Sequence, residues 1–461
     1  MSLRVAFHTL GCKLNQLETE SFAEAFARAG AEVLSFDADE AVPAELVIVN
    51  TCTVTSKAEQ KARRIVRLAL AADPEAVVLI TGCYAEVEAE SLSSLGGRAL
   101  VLKGALKAEL LGLPSFLAES GLVQAGKAPC GPPLFEALGA WLSGVQATAR
   151  EPKAAGVDGR FAYNPEAFSF HSRPSLKIED GCDNACAYCR VHIARGAAVS
   201  LPASEVLSRA RALEAAGKAE IVLAGVNLAQ YRDGDTDFPG LLKLLVAGTE
   251  SIAFRVSSYE PDLVNSGFIE AFSQERVRPH VHLALQSGSD SVLSAMNRHY
   301  GREEVFASVE ALKRVRRDPF LAADIIAGFP GESAADAEAT LDLARECGFA
   351  WIHAFRFSPR PGTKAAAMPN RVPERVAQER VDALLELGRS GRDAYIARWL
   401  GVEVGAVLES DLCATSENYL KLKVDNSPAT IRSGQAIRCR IERNAIVADD
   451  KEIDARALYI S

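Results

Sequence analysis

Short apolar runs alternate with amphipathic helical patterns from the start of the chain to about residue 125, which predicts an open parallel sheet. Three of the runs share an ending. Arg4–Leu10 leads into Gly11-Cys12, Leu46–Asn50 into Thr51-Cys52, and Val77–Thr81 into Gly82-Cys83. Each cysteine therefore falls just past the C-terminal end of a predicted buried strand. In a parallel sheet those ends share one edge, where ligands bind. Glycines at 11 and 82 suit a close backbone approach to a bulky group. Three such thiols either merely pack or converge on one ligand. After Cys52, Ser56 reads as a helix cap with Glu59 at the capping-box position. Lys57, Lys61 and Arg64 then share a helical face, either a phosphate-contact patch or a solvated surface.

Residues 126–170 read as a linker, turn-rich at Ala128–Pro133 and polar from Glu151, although Leu134–Val145 has a helical pattern. From 171 to 395 the pattern changes to six strand–helix units. The strands are placed near Ser175–Glu179, Glu220–Ala224, Ile252–Ser257, Val281–Leu285, Leu321–Ala327 and Ala350–Phe357. Six such units make an incomplete barrel, with chemistry expected at the C-terminal strand ends. The polar residues obey that rule: Asn227, Ser257, Glu260, Gln286 and Glu332 all follow strands.

From 398 to 461 short alternating runs predict a small barrel of about five strands, at Glu403–Leu408, Tyr419–Val424, Ala436–Ile441, Ile446–Ala448 and Leu458–Ile460. From Arg398 onward there are nine basic and ten acidic residues, so bulk charge gives this module no RNA-binding signature. Lys421, Lys423, Arg438 and Arg440 alternate along two strands and form either one basic face or ordinary solvent-facing positions.

Composition narrows the class. The net charge of −9 argues against a generally adhesive nucleic-acid binder. Ten cysteines in 461 residues is too sparse for a disulfide scaffold, and their grouping points to metal in a reducing compartment. No apolar stretch reaches the roughly 18 residues of a membrane span. The N-terminus lacks the apolar core and cleavage site of a signal peptide, so a cytoplasmic protein is expected.

The sharpest cluster is Gly181-Cys182-Asp183-Asn184-Ala185-Cys186-Ala187-Tyr188-Cys189. A structural zinc site wants four protein ligands. Three thiolates on a 4Fe–4S cube leave one iron open to a substrate or cofactor. The Cys-x3-Cys-x2-Cys spacing resembles that of radical S-adenosylmethionine enzymes. Cys130, Cys347, Cys413 and Cys439 fall in no ligand spacing and read as ordinary thiols.

Taken together, the segments resemble a radical-SAM methylthiotransferase over nearly the whole chain. His8–Thr19 and Asn50–Thr55 resemble the branch acting on N6-threonylcarbamoyladenosine in tRNA; Leu285–Asp290 and Phe357–Thr363 also fit the class. The resemblance implies an α/β fold in three parts: an N-terminal cluster domain at 1–125, a partial (βα)6 radical-SAM barrel at 171–395, and a small OB-like TRAM β-barrel at 398–461. It implies that Cys182, Cys186 and Cys189 hold the 4Fe–4S cluster that binds S-adenosylmethionine, and that Cys12, Cys52 and Cys83 hold an auxiliary 4Fe–4S cluster. Tyr188 would lie near the adenine of S-adenosylmethionine, with Ser257, Gln286 and Glu332 around the same cofactor. Lys57, Lys61, Arg64, Lys421 and Lys423 are the expected tRNA contacts. His192, Ala229 and Ala284 depart from common family residues without touching a cysteine. The implied partners are the tRNA anticodon stem-loop and an external low-potential electron donor, with a monomeric enzyme. Methylthiolation of isopentenyladenosine or of a ribosomal-protein aspartate is the alternative within the class. A non-catalytic iron–sulfur or zinc protein that binds RNA is the alternative outside it.

Overall fold

The computed structural model describes residues 3–37, 42–122, 130–148, 159–409, 412–428, 430–446 and 453–461. The chain forms two compact units. The first comprises residues 1–170, 180–183 and 189–197; the second comprises 171–179, 184–188 and 198–461.

The first unit is built on five parallel strands, β1 (Arg4–Thr9), β2 (Glu32–Ser35), β3 (Leu46–Thr51), β4 (Val77–Gly82) and β5 (Ala99–Val101), in the order β2-β1-β3-β4-β5. The apolar runs are continuous because both faces are covered. Val5, Phe7, Ile48 and Leu79 pack on one side with Phe22 and Phe26 of α1 (Lys13–Arg28). Ala6, Val47, Val49, Val78 and Ile80 pack on the other with Ile65 and Val66 of α2 (Ser56–Ala72). The sheet reverses direction of growth between β1 and β3, the topology that opens a crevice at the strand C-termini.

Two local expectations change here. The cap of α2 is Thr55, whose side chain accepts from the Ala58 amide at 3.1 Å, so Ser56, expected as the cap, is instead the first helical residue. Glu59 is instead drawn inward to Thr53 Oγ1 at 2.6 Å. Part of the stretch read as linker is an 18-residue helix, Gly131–Thr148. Pro132 and Pro133 are tolerated in its first turn, where amide hydrogens have no helical partner. Leu134, Leu138 and Trp141 recur at helical spacing and enter the core of the first unit. The remaining linker positions 126–129 and 149–158 lie outside the described residues.

The second unit carries six parallel strands in sequence order: Ser175–Lys177, Glu220–Ala224, Ala253–Val256 continued by Ser258–Tyr259, His280–Gln286, Phe320–Ala327 and Trp351–Arg356. The third is interrupted at Ser257. Its first piece pairs with the second strand and its last with the fourth. The sixth pairs with the fifth along Ala322–Ala327, and the set is a partial barrel.

A closed five-stranded barrel follows, formed by Glu403–Leu408, Cys413–Ser416, Lys421–Asp425, Ala436–Ile446 and Ala455–Tyr459. Cys413–Ser416 was not expected as a strand, because it is short and has no apolar alternation. The expected strand at Ile446–Ala448 runs into residues outside the described set. The barrel core, with Val404, Leu422, Val424 and Ile437, is continuous with Phe320, Tyr395 and Ile396 of the partial barrel. Glu220 braces the same region. It is fully buried and meets Arg255 Nε at 2.6 Å, Arg278 Nε at 2.8 Å and Arg173 at 3.4 Å. Arg173 continues to Glu409, and Arg255 to the Ser416 carbonyl.

Candidate metal centres and their surroundings

The three strand-end cysteines of the first unit are held by a polar brace. The Leu10 amide donates to the Asn50 carbonyl at 2.9 Å, extending the β1–β3 pairing past β1. Asn15 Nδ2 donates to the Leu10 carbonyl at 2.8 Å and the Thr51 carbonyl at 3.1 Å. Asn50 Nδ2 returns to the Asn15 carbonyl at 3.0 Å. Thr51 Oγ1 donates to the Thr81 carbonyl at 2.5 Å and accepts from the Ala85 amide at 3.2 Å. The segments that deliver Cys12, Cys52 and Cys83 are thus bonded to one another. Cys12 precedes α1, and Cys83 opens the short helix Cys83–Val87.

Close backbone approach explains both glycines. Gly11 has φ +101°, and a Cβ there would sit 2.6 Å from Cys52 Sγ. Gly82 has φ +99°, and a Cβ there would sit 2.3 Å from the Thr51 carbonyl oxygen. His8 is structural, with Nδ1 2.8 Å from the Phe36 carbonyl oxygen. Burial, together with the neighbouring Cys12 and Cys83, pushes the Cys52 thiol up to about 12. Three thiolates at this place need a cation to be stable, and iron in a cluster is such a cation. The donor set and the glycine-lined approach therefore fit a three-thiolate iron–sulfur site. Among the described residues no three Cys, His, Asp or Glu side chains form a site for a single metal ion.

A buried arginine completes this arrangement. Arg195, at the end of the helix Val191–Arg195, donates from Nε to Cys83 Sγ at 3.2 Å. Its other nitrogens reach Asp180 Oδ1 at 2.9 Å, Asn15 Oδ1 at 2.9 Å and Glu18 Oε1 at 3.3 Å. Glu18 also holds Lys107 Nζ at 2.5 Å. Burial lowers the Arg195 pKa, but Cys83, Asp180, Glu18 and Cys12 more than reverse this. Arg190, just after Cys189, meets Glu88 at 3.0 Å and Glu59 at 3.3 Å. Sequence reasoning missed Arg195, whose only signal was its position six residues beyond the last loop cysteine.

The parts of the Cys182–Cys189 loop are each held within their own unit. Within the first unit the Cys182 amide donates to the Gly196 carbonyl at 3.0 Å, and Cys189 Sγ accepts from the Val191 amide at 3.3 Å. Within the second, Cys186 Sγ accepts from Arg298 at 3.2 Å. The Ala187 amide donates to the Met296 carbonyl at 2.9 Å, and Asn297 Nδ2 to the Ala185 carbonyl at 3.1 Å. Within the second unit, the cationic partner on Cys186 suits a thiolate ligand. Tyr188 is half-buried against an apolar group of Ala187, Val292, Met296, Phe329 and Ala365, with Phe357 and Met368 beside it.

The strand-end polar residues divide. Gln286 ends its strand in the left-handed region, with φ 63°. Ser257 occupies the break in the third strand. Glu332 is committed to structure: Oε2 accepts from the amides of Gly328 at 2.8 Å and Phe329 at 3.0 Å, and Oε1 meets Arg380 at 2.7 Å. It shapes the turn below Tyr188's apolar neighbours and is satisfied without a cofactor.

The basic residues also divide. Lys57, Lys61 and Arg64 are exposed on α2 and make no ion pair with a described residue. Lys421 is paired with Glu409 at 2.8 Å, and Arg440 with Glu403. Lys423 is exposed. The strand between the two basic ones adds Arg456, opposite Lys423, so the outer basic row is real but is offset by Glu403, Glu409 and Asp425.

Residues 176–344 match the Radical SAM superfamily, and residues 4–103 match a family described as "Uncharacterized protein family UPF0004". The chain is 42% identical, over 96% of its length and 99% of the relative's, to the threonylcarbamoyladenosine tRNA methylthiotransferase MtaB of Treponema pallidum (strain Nichols). The chain belongs to the radical-SAM methylthiotransferase family. A second methylthiotransferase of the same name, from Aquifex aeolicus (strain VF5), is 31% identical over 91% of this chain and 96% of its own. A tRNA-2-methylthio-N(6)-dimethylallyladenosine synthase of Cereibacter sphaeroides (strain ATCC 17025 / ATH 2.4.3) is 31% identical over 95% of this chain and 96% of its own. Among solved structures, the radical S-adenosylmethionine methyltransferase TsrM of Kitasatospora setae shares the fold at a TM-score of 0.50 and 15% identity, over 79% of this chain and 77% of its own. As a radical-SAM methylthiotransferase the protein is an enzyme that uses S-adenosylmethionine and a 4Fe–4S cluster. No helix among its described residues is long and apolar enough to cross a membrane.

Proposed function

We propose that this methylthiotransferase converts N6-threonylcarbamoyladenosine, 3′ of the anticodon in tRNA, to its 2-methylthio derivative. The observation that carries the reading is the 42% identity to a threonylcarbamoyladenosine enzyme across 96% of the chain, against 31% for the dimethylallyladenosine enzyme. The target is an aromatic C–H bond with no acidic proton at neutral pH, which disfavours general acid–base catalysis. When bound, a cluster at Cys182, Cys186 and Cys189 with S-adenosylmethionine supplies a carbon radical, and a second 4Fe–4S cluster at Cys12, Cys52 and Cys83 supplies sulfur.

The chain's own residues then do the positioning. The Asn15–Asn50–Thr51 brace holds three thiols at one sheet edge. Arg298 holds Cys186, and the apolar group around Tyr188 offers a dry face for an adenine. Gln286 and Ser257 stand at strand ends beside the barrel mouth. Lys57, Lys61 and Arg64 give phosphate contacts, and the outer row with Lys423 and Lys421 on the C-terminal barrel, read as a TRAM domain, gives a second set. The base must leave its stack to react, which suits an anticodon-loop nucleotide. The enzyme works as a cytoplasmic monomer and takes electrons from an external low-potential donor.

The test is a competition between two anticodon stem-loop RNAs, one with threonylcarbamoyladenosine and one with isopentenyladenosine. Reconstituted protein, S-adenosylmethionine and reductant should add a methylthio group to the first. Preference for the second would replace this reading with the alternative specificity.

A further inference from the structure

We propose that Arg195 is a positioning residue that sets the reduction potential of the cluster held by Cys12, Cys52 and Cys83; this rests on the assignment of those three cysteines as cluster ligands. The geometry is specific. Arg195 Nε lies 3.2 Å from Cys83 Sγ, and the guanidinium is aimed there by three further acceptors on two separate segments: Asn15 and Glu18 of α1, and Asp180. The Arg195 side chain is only 5% exposed, so its field is little screened by solvent. Hydrogen bonds to ligand sulfur and local charge are principal controls on the potential of an iron–sulfur cluster. Both favour the more negative, reduced form and so raise the potential.

A purely structural role does not account for the contact. One terminal nitrogen of Arg195 meets both Glu18 and Asp180, the other meets Asn15, and Lys107 joins the same Glu18, a balance of opposite charges beside Cys83. The Nε hydrogen is directed instead at sulfur, on a thiol that the ligand set requires. Arg195 is also six residues beyond Cys189 in sequence. The segment that carries the last cysteine of the radical-SAM loop is thereby tied to a cysteine of the other trio.

The balance predicts opposite effects from its two sides. Arg195→Gln removes the cation and leaves the carboxylates in excess, so the midpoint should become more negative. Asp180→Asn removes a carboxylate and leaves Arg195 less compensated, so the midpoint should become more positive. Arg195→Lys keeps the charge but loses the directed Nε–H, and should fall between parent and Arg195→Gln.

The measurement is an EPR-monitored redox titration of full-length protein in which Cys182, Cys186 and Cys189 are all alanine, reconstituted anaerobically with iron and sulfide. The parent in this background should take up about four irons per chain, and the variants should order as above. If Arg195→Gln fails to take up iron, Arg195→Lys and Asp180→Asn decide: midpoints displaced in opposite directions support the inference, and equal midpoints overturn it. Equal midpoints in all iron-loaded forms leave the ligand assignment standing and refute only the role of Arg195. A parent background that takes up no iron refutes the ligand assignment itself, and this inference with it.

Discussion

Arg298 donates from one guanidinium nitrogen to Cys186 Sγ at 3.2 Å and from another to Glu260, binding a cysteine of the radical-SAM loop to the end of the third barrel strand. Both charged side chains are largely buried. Removing one partner leaves the other uncompensated. Arg298→Met should therefore cost about 3–5 kcal/mol of stability, read by denaturant unfolding. Adding Glu260→Gln should recover much of that stability. It should not restore 5′-deoxyadenosine formation, because the contact to Cys186 is still missing. Full recovery of both would reduce Arg298 to a structural ion pair.

Glu220 makes a separate prediction about stability. Burial alone would raise its carboxyl pKa, but Arg255, Arg173 and Arg278 outweigh burial and hold it far below the usual range. Its folded pKa lies below its unfolded value, so its stabilisation is complete above about 4.5 and is lost as pH falls below that. Glu220→Gln should cost about 3–5 kcal/mol at neutral pH and should flatten the acid limb of stability against pH. His353 acts on the same limb. Burial and His282 lower it to about 4, so it too favours the folded state above its unfolded pKa near 6.5 and withdraws that support on acidification. An acid limb unchanged in Glu220→Gln would contradict the assignment of Glu220 as its main source.

Gly82 should be intolerant of a side chain for a reason local to the first cysteine trio. A Cβ at φ +99° meets backbone of Thr51 on two sides, at 2.3 Å and 2.6 Å, and backbone cannot rotate away as a side chain can. Gly82→Ala should displace Cys83 and reduce iron from about eight to about four per chain, by anaerobic iron and sulfide analysis. Retention of all the iron would mean that Cys83 is not held by this approach.

The two trios should separate functionally. Cys12→Ala should still cleave S-adenosylmethionine but yield no methylthiolated RNA, whereas Cys186→Ala should lose both activities. Chromatography of 5′-deoxyadenosine beside mass spectrometry of the RNA distinguishes the cases. Methylthiolation by Cys12→Ala would remove the first trio from the mechanism.

The fold was legible where burial acts along the chain. The runs at Val5–Phe7, Leu46–Val49 and Val77–Ile80 are apolar at every position because both sheet faces are covered, and each is followed within five residues by a cysteine. The strand-end placement of Cys12, Cys52 and Cys83 followed from that pattern. Long-range pairing was not legible. Arg195 meets Cys83 across 112 positions, and Arg255 meets Glu220 across 35. Neither spacing has a sequence signature. The alternation of Lys421 and Lys423 placed both on the outer face of a barrel strand. It did not reveal that Glu409, just past the end of another strand, pairs with Lys421. Gly131–Pro133 read as a turn because glycine and proline punctuate chains, yet prolines at a helix start are compatible with the helix that follows.

The central claim is that the protein adds a methylthio group to threonylcarbamoyladenosine in tRNA. It is tested most directly by mass spectrometry of nucleosides from the tRNA of a host lacking this modification, with and without the protein. The account predicts 2-methylthio-N6-threonylcarbamoyladenosine when the wild-type chain is expressed, and its absence when Cys12→Ala or Cys186→Ala is expressed. No new 2-methylthio nucleoside, or 2-methylthio-isopentenyladenosine in its place, would contradict it.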